Sequence, residues 1–139
     1  MITFLKLVLI GFISGVLLAA IMKIVRKATG NKADILLYNM DYIPVLKQWS
    51  DKSITGILFH YATCISSAVV LYYILLPLGL ESLVWPYMVV FTAGGGVLYF
   101  LSALTETPPS KDDAAAWFYW TLGHAIFGFA VGGLIAIFI

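Results

Sequence analysis

Apolar residues run almost unbroken through four long stretches of this chain, and most charged residues lie between them. The first stretch, residues 2–25, is interrupted only by Lys6 near one end and Lys23 near the other. The second, 54–76, carries no charge and stops at Pro77 to Gly79. The third covers 83–104, and the fourth begins near Ala114 or Trp117 and runs to Ile139. A helix needs about 20 mostly apolar residues to cross a bilayer, and each stretch meets that length. A strand of a membrane barrel would show alternation over about ten residues, whereas these runs are continuous. The pattern predicts an all-α integral membrane protein, a four-transmembrane-helix bundle forming one membrane domain over 1–139. The first stretch ends in Lys23, Arg26 and Lys27 rather than in small residues suited to signal cleavage, so it reads as a retained helix.

The three connections differ in kind. The second is a few residues around Glu81 and predicts a tight hairpin between the second and third helices. The third carries Thr107-Pro108-Pro109-Ser110, followed by Lys111, Asp112 and Asp113. Its prolines end the third helix, and Ser110 or Asp112 is placed to cap the fourth. The first connection, Arg26 to Ser53, is the long one. Within 33–49, Ile35, Leu36, Met40, Ile43 and Leu46 recur at helical spacing against Asp34, Asn39, Asp41 and Lys47. That pattern suits an interfacial helix, kinked at Pro44 and anchored by Tyr42 and Trp49. It suits equally an amphipathic linker that covers one end of the bundle.

Composition agrees with the pattern and narrows the function. The chain is 62% apolar and only 11% charged, against the 45–50% and about 25% of soluble domains. A net charge of +1 without a basic patch excludes a nucleic-acid partner, and the single Cys64 excludes an internal disulfide. The partner all four helices require is the lipid bilayer. Lysine and arginine gather in the first connection (Arg26, Lys27, Lys32, Lys47, Lys52), with Lys111 in the third, while the opposite side has only Lys6 and the N-terminal amine. The positive-inside rule then places both termini outside and both charged loops in the cytoplasm.

Each span carries one stripe of small or polar residues. The first has Gly11, Gly15 and Ala19, leading to Met22 or Lys23; the second has Gly56, His60, Cys64 and Ala68, with Thr63 and Ser67 alongside. The third has Thr92, Gly96, Tyr99 and Ala103, leading to Glu106, and the fourth has Trp120, His124, Gly128 and Gly132. Small residues let helices approach closely in lipid, where no hydrophobic effect drives them together. The glycine stripe of the first helix also fits association between copies, so a homo-oligomer or a partner membrane subunit is expected.

His60 and His124 each lie about 10 Å inside the span on the charged-loop side, at 1.5 Å per residue. Ionisable groups at that depth are costly to leave unpaired. A polar cluster is expected to join His60, His124, Glu106 and Lys23, with Thr63, Cys64 and Tyr99 nearby. Such a cluster could relay protons, because imidazole titrates near neutrality. His60 and His124 could instead ligate a haem, or with Cys64 a soft metal, although no His-x-x-His or Cys-x-x-Cys motif is present. The plainest reading gives each histidine one interhelical hydrogen bond and no cofactor. Glu106 before Thr107-Pro108-Pro109 could stand at a cavity mouth or be a solvated loop acid. Gly94-Gly95-Gly96 fits either a bend in the third helix or tight packing against Phe91 or Trp120. Gly15-Val16-Leu17 is echoed by Gly96-Val97-Leu98, each ahead of a helix with one histidine, which suggests two related hairpins.

Gly-x-x-Ser-Gly at Gly11 to Gly15, His60 in the next helix, Thr107 to Pro109 after the third, and Gly123-His124 in the fourth together resemble the YagU-like bacterial inner-membrane proteins. The likeness is best over 55–139. It implies a multi-pass protein of the bacterial inner membrane, associated with acid resistance, with cytoplasmic termini; the charge count implies the opposite orientation. The first connection departs from the family in being longer and lysine-rich. Tyr99 or Ser102 stands where the family carries a further histidine.

No nucleophile–base frame, phosphate-binding glycine loop or zinc motif is present, so an enzyme is not expected. The leading expectation is a proton- or small-solute-linked channel or transporter component acting as an oligomer. The alternatives are a haem- or metal-binding membrane redox protein and a non-catalytic structural or regulatory membrane protein.

Overall fold

The computed structural model describes residues 1–50 and 52–139. Four long α-helices account for the apolar stretches: α1 (Ile2–Thr29), α2 (Ser53–Leu75), α3 (Val84–Leu98) and α4 (Ala114–Phe138). All are long and apolar enough to cross a membrane once the 3-10 turns that extend α2 to Leu78 and α3 to Leu104 are included. No strand occurs among the described residues. α1 ends on Gly30 with φ of 75°, a left-handed cap whose N–H donates to the Arg26 carbonyl.

The helices stand in the order α2, α1, α4, α3. The pairs α1/α2 and α3/α4 pack closely, and α1 against α4 joins the two pairs. This is the pairing suggested by the Gly-Val-Leu echo. α2 and α3 scarcely touch one another. The short link between them reverses the chain without pairing the helices, so the expected tight hairpin is not formed.

Glycines decide which helices meet. A Cβ on Gly11 would lie 2.7 Å from Ile65 Cα, and one on Gly15 would lie 3.1 Å from Cys64 Cβ, so both serve the α1/α2 contact. On α4, a Cβ on Gly128 would lie 2.6 Å from the Tyr87 carbonyl oxygen, and one on Gly132 would lie 3.0 Å from Val84 Cα. Gly123 turns the other way and faces Met22 and Leu18 of α1. The stripe of α1 is therefore consumed inside one chain, which removes the glycine argument for association between copies. Between these contacts the core is built from Leu7, Leu18, Met22, Tyr87, Phe127, Val131 and Ile135. Outward positions are apolar and open, Val97 being 71% and Ile137 74% exposed. Such a girdle faces hydrocarbon in a membrane and needs no protein cover.

Three local expectations are corrected. The segment 33–49 is not one helix. It holds two short 3-10 turns, Ala33–Leu37 and Lys47–Trp49. Asn31 Oδ1 accepts from the Ala33 N–H at 2.9 Å and Asn39 Oδ1 from the Asp41 N–H at 3.1 Å. These local bonds compete with a helical ladder. Ala33, Leu36 and Leu37 are buried and join the core of the bundle, so it is the linker covering the bundle end. The cap of α4 is Asp113, not Ser110 or Asp112: its Oδ1 accepts from the Ala116 N–H at 2.9 Å. Finally, the regular part of α3 ends at Leu98, ten residues before Pro108, and continues as 3-10 turns. The change follows Gly95 and Gly96, whose carbonyls accept the indole N–H groups of Trp120 (2.8 Å) and Trp117 (3.0 Å). Side chains entering a helical ladder disturb it in this way.

Candidate functional site

Because α2 and α3 diverge, a cavity of about 330 Å³ lies between them. α1 and α4 form its back through Leu18, Trp120, His124 and Phe127. His60, Thr63, Cys64 and Ser67 of α2 line one side, and Val90, Gly94, Gly95 and Leu98 of α3 line the other. Leu36, Leu37 and Tyr42 of the first connection lie across its end. The lining is mostly apolar with a few polar groups, the composition typical of small-molecule sites.

The two histidines share this cavity, as their common depth predicted, yet they are bonded differently. His60 is 2% exposed, and its Nε2 lies 3.1 Å from the Gly15 carbonyl oxygen. A carbonyl only accepts, so Nε2 carries the proton and donates. Its Nδ1 faces the Cys64 Sγ at 3.8 Å. Tyr38 and Tyr61 stand edge-on to the ring, with centroids 5.4 and 4.9 Å away. The Cys64 Sγ is also 3.9 Å from Nε2, so it lies loosely against the ring, and the Gly15 carbonyl is the one close partner of His60.

His124 donates from Nδ1 to the Trp120 carbonyl one turn back, at 2.8 Å. By the same logic its Nε2 bears the lone pair in the neutral ring. That nitrogen finds no partner among the described residues, and the ring lines the cavity. The Trp120 ring lies beside it, with centroids 4.5 Å apart, and Gly95 lies directly against its Cβ and Cγ. Only glycine leaves space for the imidazole there.

The rest of the expected cluster is not assembled around the histidines. Thr63 and Cys64 are in place. Lys23 is exposed, the inward position on α1 being taken by Met22. Glu106 is exposed and lies with Asp41, Lys47, Thr105 and Thr107 in a separate polar recess. Tyr99 is fully buried but points at the third connection, donating to the carbonyls of Ser110 (2.7 Å) and Asp113 (3.2 Å). Gly96 sits opposite Thr121 of α4, and Gly56 backs on the Tyr38 carbonyl, so both are packing positions.

Among the described residues no three His, Cys, Asp or Glu side chains group closely enough to hold a metal ion, so His60, Cys64 and His124 are not gathered as a ligand set.

A polar clasp outside the membrane-spanning part escaped the sequence reading. Asp41 Oδ2 accepts from the hydroxyls of Thr105 and Thr107, both at 2.8 Å, and Asn39 Nδ2 donates to Thr105 Oγ1 at 3.4 Å. It ties the first connection to the third beside the closed end of the cavity. Next to it, burial and then the Asp41 carboxylate hold the Tyr42 hydroxyl above its usual pKa, so Tyr42 stays a neutral phenol. The sequence signal was present, in that Asp41 and Thr105/Thr107 are the polar residues of two loops on one side of the membrane. Their pairing across some 64 residues had no local signature.

No protein-family model, curated protein or solved structure matches this chain. The resemblance to the YagU-like proteins rests on its short motifs.

Proposed function

We propose that this is a small transport component of a bacterial inner membrane, which takes up a small solute in the cavity between α2 and α3. One observation carries the reading: a four-span bundle keeps an apolar cavity at the depth of its two histidines, with one imidazole nitrogen left free to hold a ligand. A bundle serving only as a scaffold would gain by closing α2 onto α3, since packing is what holds helices together in lipid. His60 supports the wall by joining α2 to α1. His124 is the group that meets the solute. The connection over the cavity end, clasped by Asp41, separates the cavity from the aqueous side. The YagU-like motifs support the bacterial inner-membrane location and a role in acid stress.

Uptake of a panel of labelled small organic solutes into proteoliposomes tests the proposal. A solute whose entry is raised by the wild-type protein and returns to the empty-liposome rate with Gly94→Leu is the expected result. Gly94 lines the cavity, and a Cβ there meets nothing within 4 Å, so the backbone has room for a side chain at the place where the cavity now opens. Wild-type uptake equal to that of empty liposomes across the panel would overturn transport.

A further inference from the structure

The cavity has one face without a wall. On the loop side Leu36 and Leu37 are 4% and 5% exposed and form a closed end. Between α2 and α3 the rim is open: Val90 and Leu98 line the cavity yet are 45% and 51% exposed, with Gly94 between them. These positions lie near the middle of the third span, Val84–Leu104, at the depth of the hydrocarbon. The opening therefore faces lipid tails.

Within that opening the polar inventory is short. Thr63 Oγ1 donates to the His60 carbonyl at 2.8 Å and Ser67 Oγ to the Cys64 carbonyl at 3.1 Å, so both hydroxyl protons are used and only their oxygen lone pairs remain; the Tyr42 hydroxyl lies at the closed end. His60 is 2% exposed, and its Nε2 is held by the Gly15 carbonyl. The strongest acceptor in the cavity is the lone pair on His124 Nε2, which has no partner among the described residues and shares the lining with Trp120, Phe127 and Phe91. An acceptor in such surroundings discriminates in favour of a ligand that brings a donor.

We infer that the cavity takes its ligand sideways from the bilayer through the gap between α2 and α3, and that the ligand is a small apolar molecule carrying a hydroxyl group that donates to His124 Nε2. The inference rests on the reading of this cavity as a solute site. It adds the chemical class of the solute and the side from which it arrives. A phenol or a small membrane-dissolved alcohol has the required form: its body matches the aromatic and aliphatic walls, and its one O–H meets the imidazole acceptor. A charged or strongly polar solute would leave its other groups without partners.

The test uses the full chain in phosphatidylcholine vesicles with para-bromophenol and its methyl ether, para-bromoanisole, as probes at matched bilayer concentrations. Bromine quenches indole fluorescence at contact, and Trp120 lines the cavity. Trp49 and Trp85, which are exposed, are replaced by Phe to lower the non-saturable background. The saturable quenching is expected to be about two- to tenfold tighter for the phenol than for the ether, the value of one neutral hydrogen bond. His124→Phe keeps a ring beside Trp120 and Gly95 and should abolish that preference while leaving binding of the ether. His124→Gln, with a side-chain acceptor, should retain part of it. Gly94→Leu should remove saturable quenching by both probes. Equal affinities for phenol and ether, or a preference that survives His124→Phe, would overturn the hydroxyl assignment and leave the cavity reading standing. Saturable binding retained in Gly94→Leu would overturn entry between α2 and α3. Absence of saturable quenching by both probes in the folded wild-type protein would overturn the solute site itself. Binding without solute uptake in proteoliposomes would remove transport and keep the site.

Discussion

Gly94 and Gly95 are neighbours in α3, and replacing each by alanine should have opposite consequences. Alanine is favoured over glycine in a helix interior by about 0.8–1 kcal/mol, and both positions gain that amount. At Gly94 nothing lies within 4 Å of the added Cβ, so the gain stands alone. At Gly95 the Cβ would lie 2.5 Å from His124 Cγ and 2.6 Å from His124 Cβ. Carbon atoms rest at about 3.5–4.0 Å, so α3 and α4 must part locally by about 1 Å. The His124 Cβ belongs to the helix rather than to a flexible side-chain end, and cannot move aside by itself. Overpacking of this kind costs about 1–3 kcal/mol. The shift also weakens the bond from the Trp120 indole to the Gly95 carbonyl, worth about 1 kcal/mol. Gly95→Ala should therefore be up to about 3 kcal/mol less stable than the wild type, and Gly94→Ala up to about 1 kcal/mol more stable. Unfolding in mixed micelles of rising sodium dodecyl sulfate content, followed by helical circular dichroism, measures both. Equal stabilities for the two variants would refute the account of how α3 and α4 approach and of why His124 sits where it does.

His60→Ala should cost about 2–4 kcal/mol in the same assay, since it removes the bond to Gly15 and leaves a void between α1 and α2, whereas His124→Phe should cost less than about 1.5 kcal/mol. Equal losses would contradict the division of the histidines into a wall group and a ligand group. Asp41→Ala leaves the Thr105 and Thr107 hydroxyls without their acceptor and should cost about 1–2 kcal/mol, with faster amide deuterium exchange over 33–50; unchanged exchange there would show that the clasp does not hold the first connection. Gly15→Leu should destabilise the chain without changing its detergent-corrected mass by light scattering, and a fall in mass would restore the stripe of α1 as a contact between copies.

The four spans were legible because continuous apolar length is a one-dimensional property, and the bilayer fixes its scale. The inward stripes were legible for a related reason: a glycine every fourth residue marks a close approach whichever helix provides the neighbour. What the stripes could not show is the identity of that neighbour. Met22 and Lys23 both continued the stripe of α1, and only the packing of Gly123 of α4 against Met22 decides between them. Lys23 then falls on the outside. Glu106 and Tyr99 were placed by depth alone, and depth says nothing about direction around the bundle. Of the periodic apolar residues of 33–49 only Leu36 and Met40 are buried, because two asparagine side chains that close local turns break the helix, and their effect depends on geometry that spacing does not carry.

The same reasoning explains why a cavity exists at all. A short link between consecutive helices ordinarily makes them neighbours, and the link between α2 and α3 is short. Yet the glycines of α2 and α3, Gly94 apart, point elsewhere. Gly56 is spent on the Tyr38 backbone, Gly95 on His124 and Gly96 on Thr121. Gly11 and Gly15 draw α1 onto α2, while Gly128 and Gly132 draw α4 onto the start of α3. Each close approach pulls α2 and α3 toward opposite sides, and the faces they leave to each other carry Phe59, Thr63, Val90 and Leu98, side chains too large or too few to meet. Gly94, on the α3 side of that gap, has nothing against it. The opening toward the bilayer is thus a consequence of where the other contacts fall, which is why filling it at Gly94 should cost the fold nothing and the site everything.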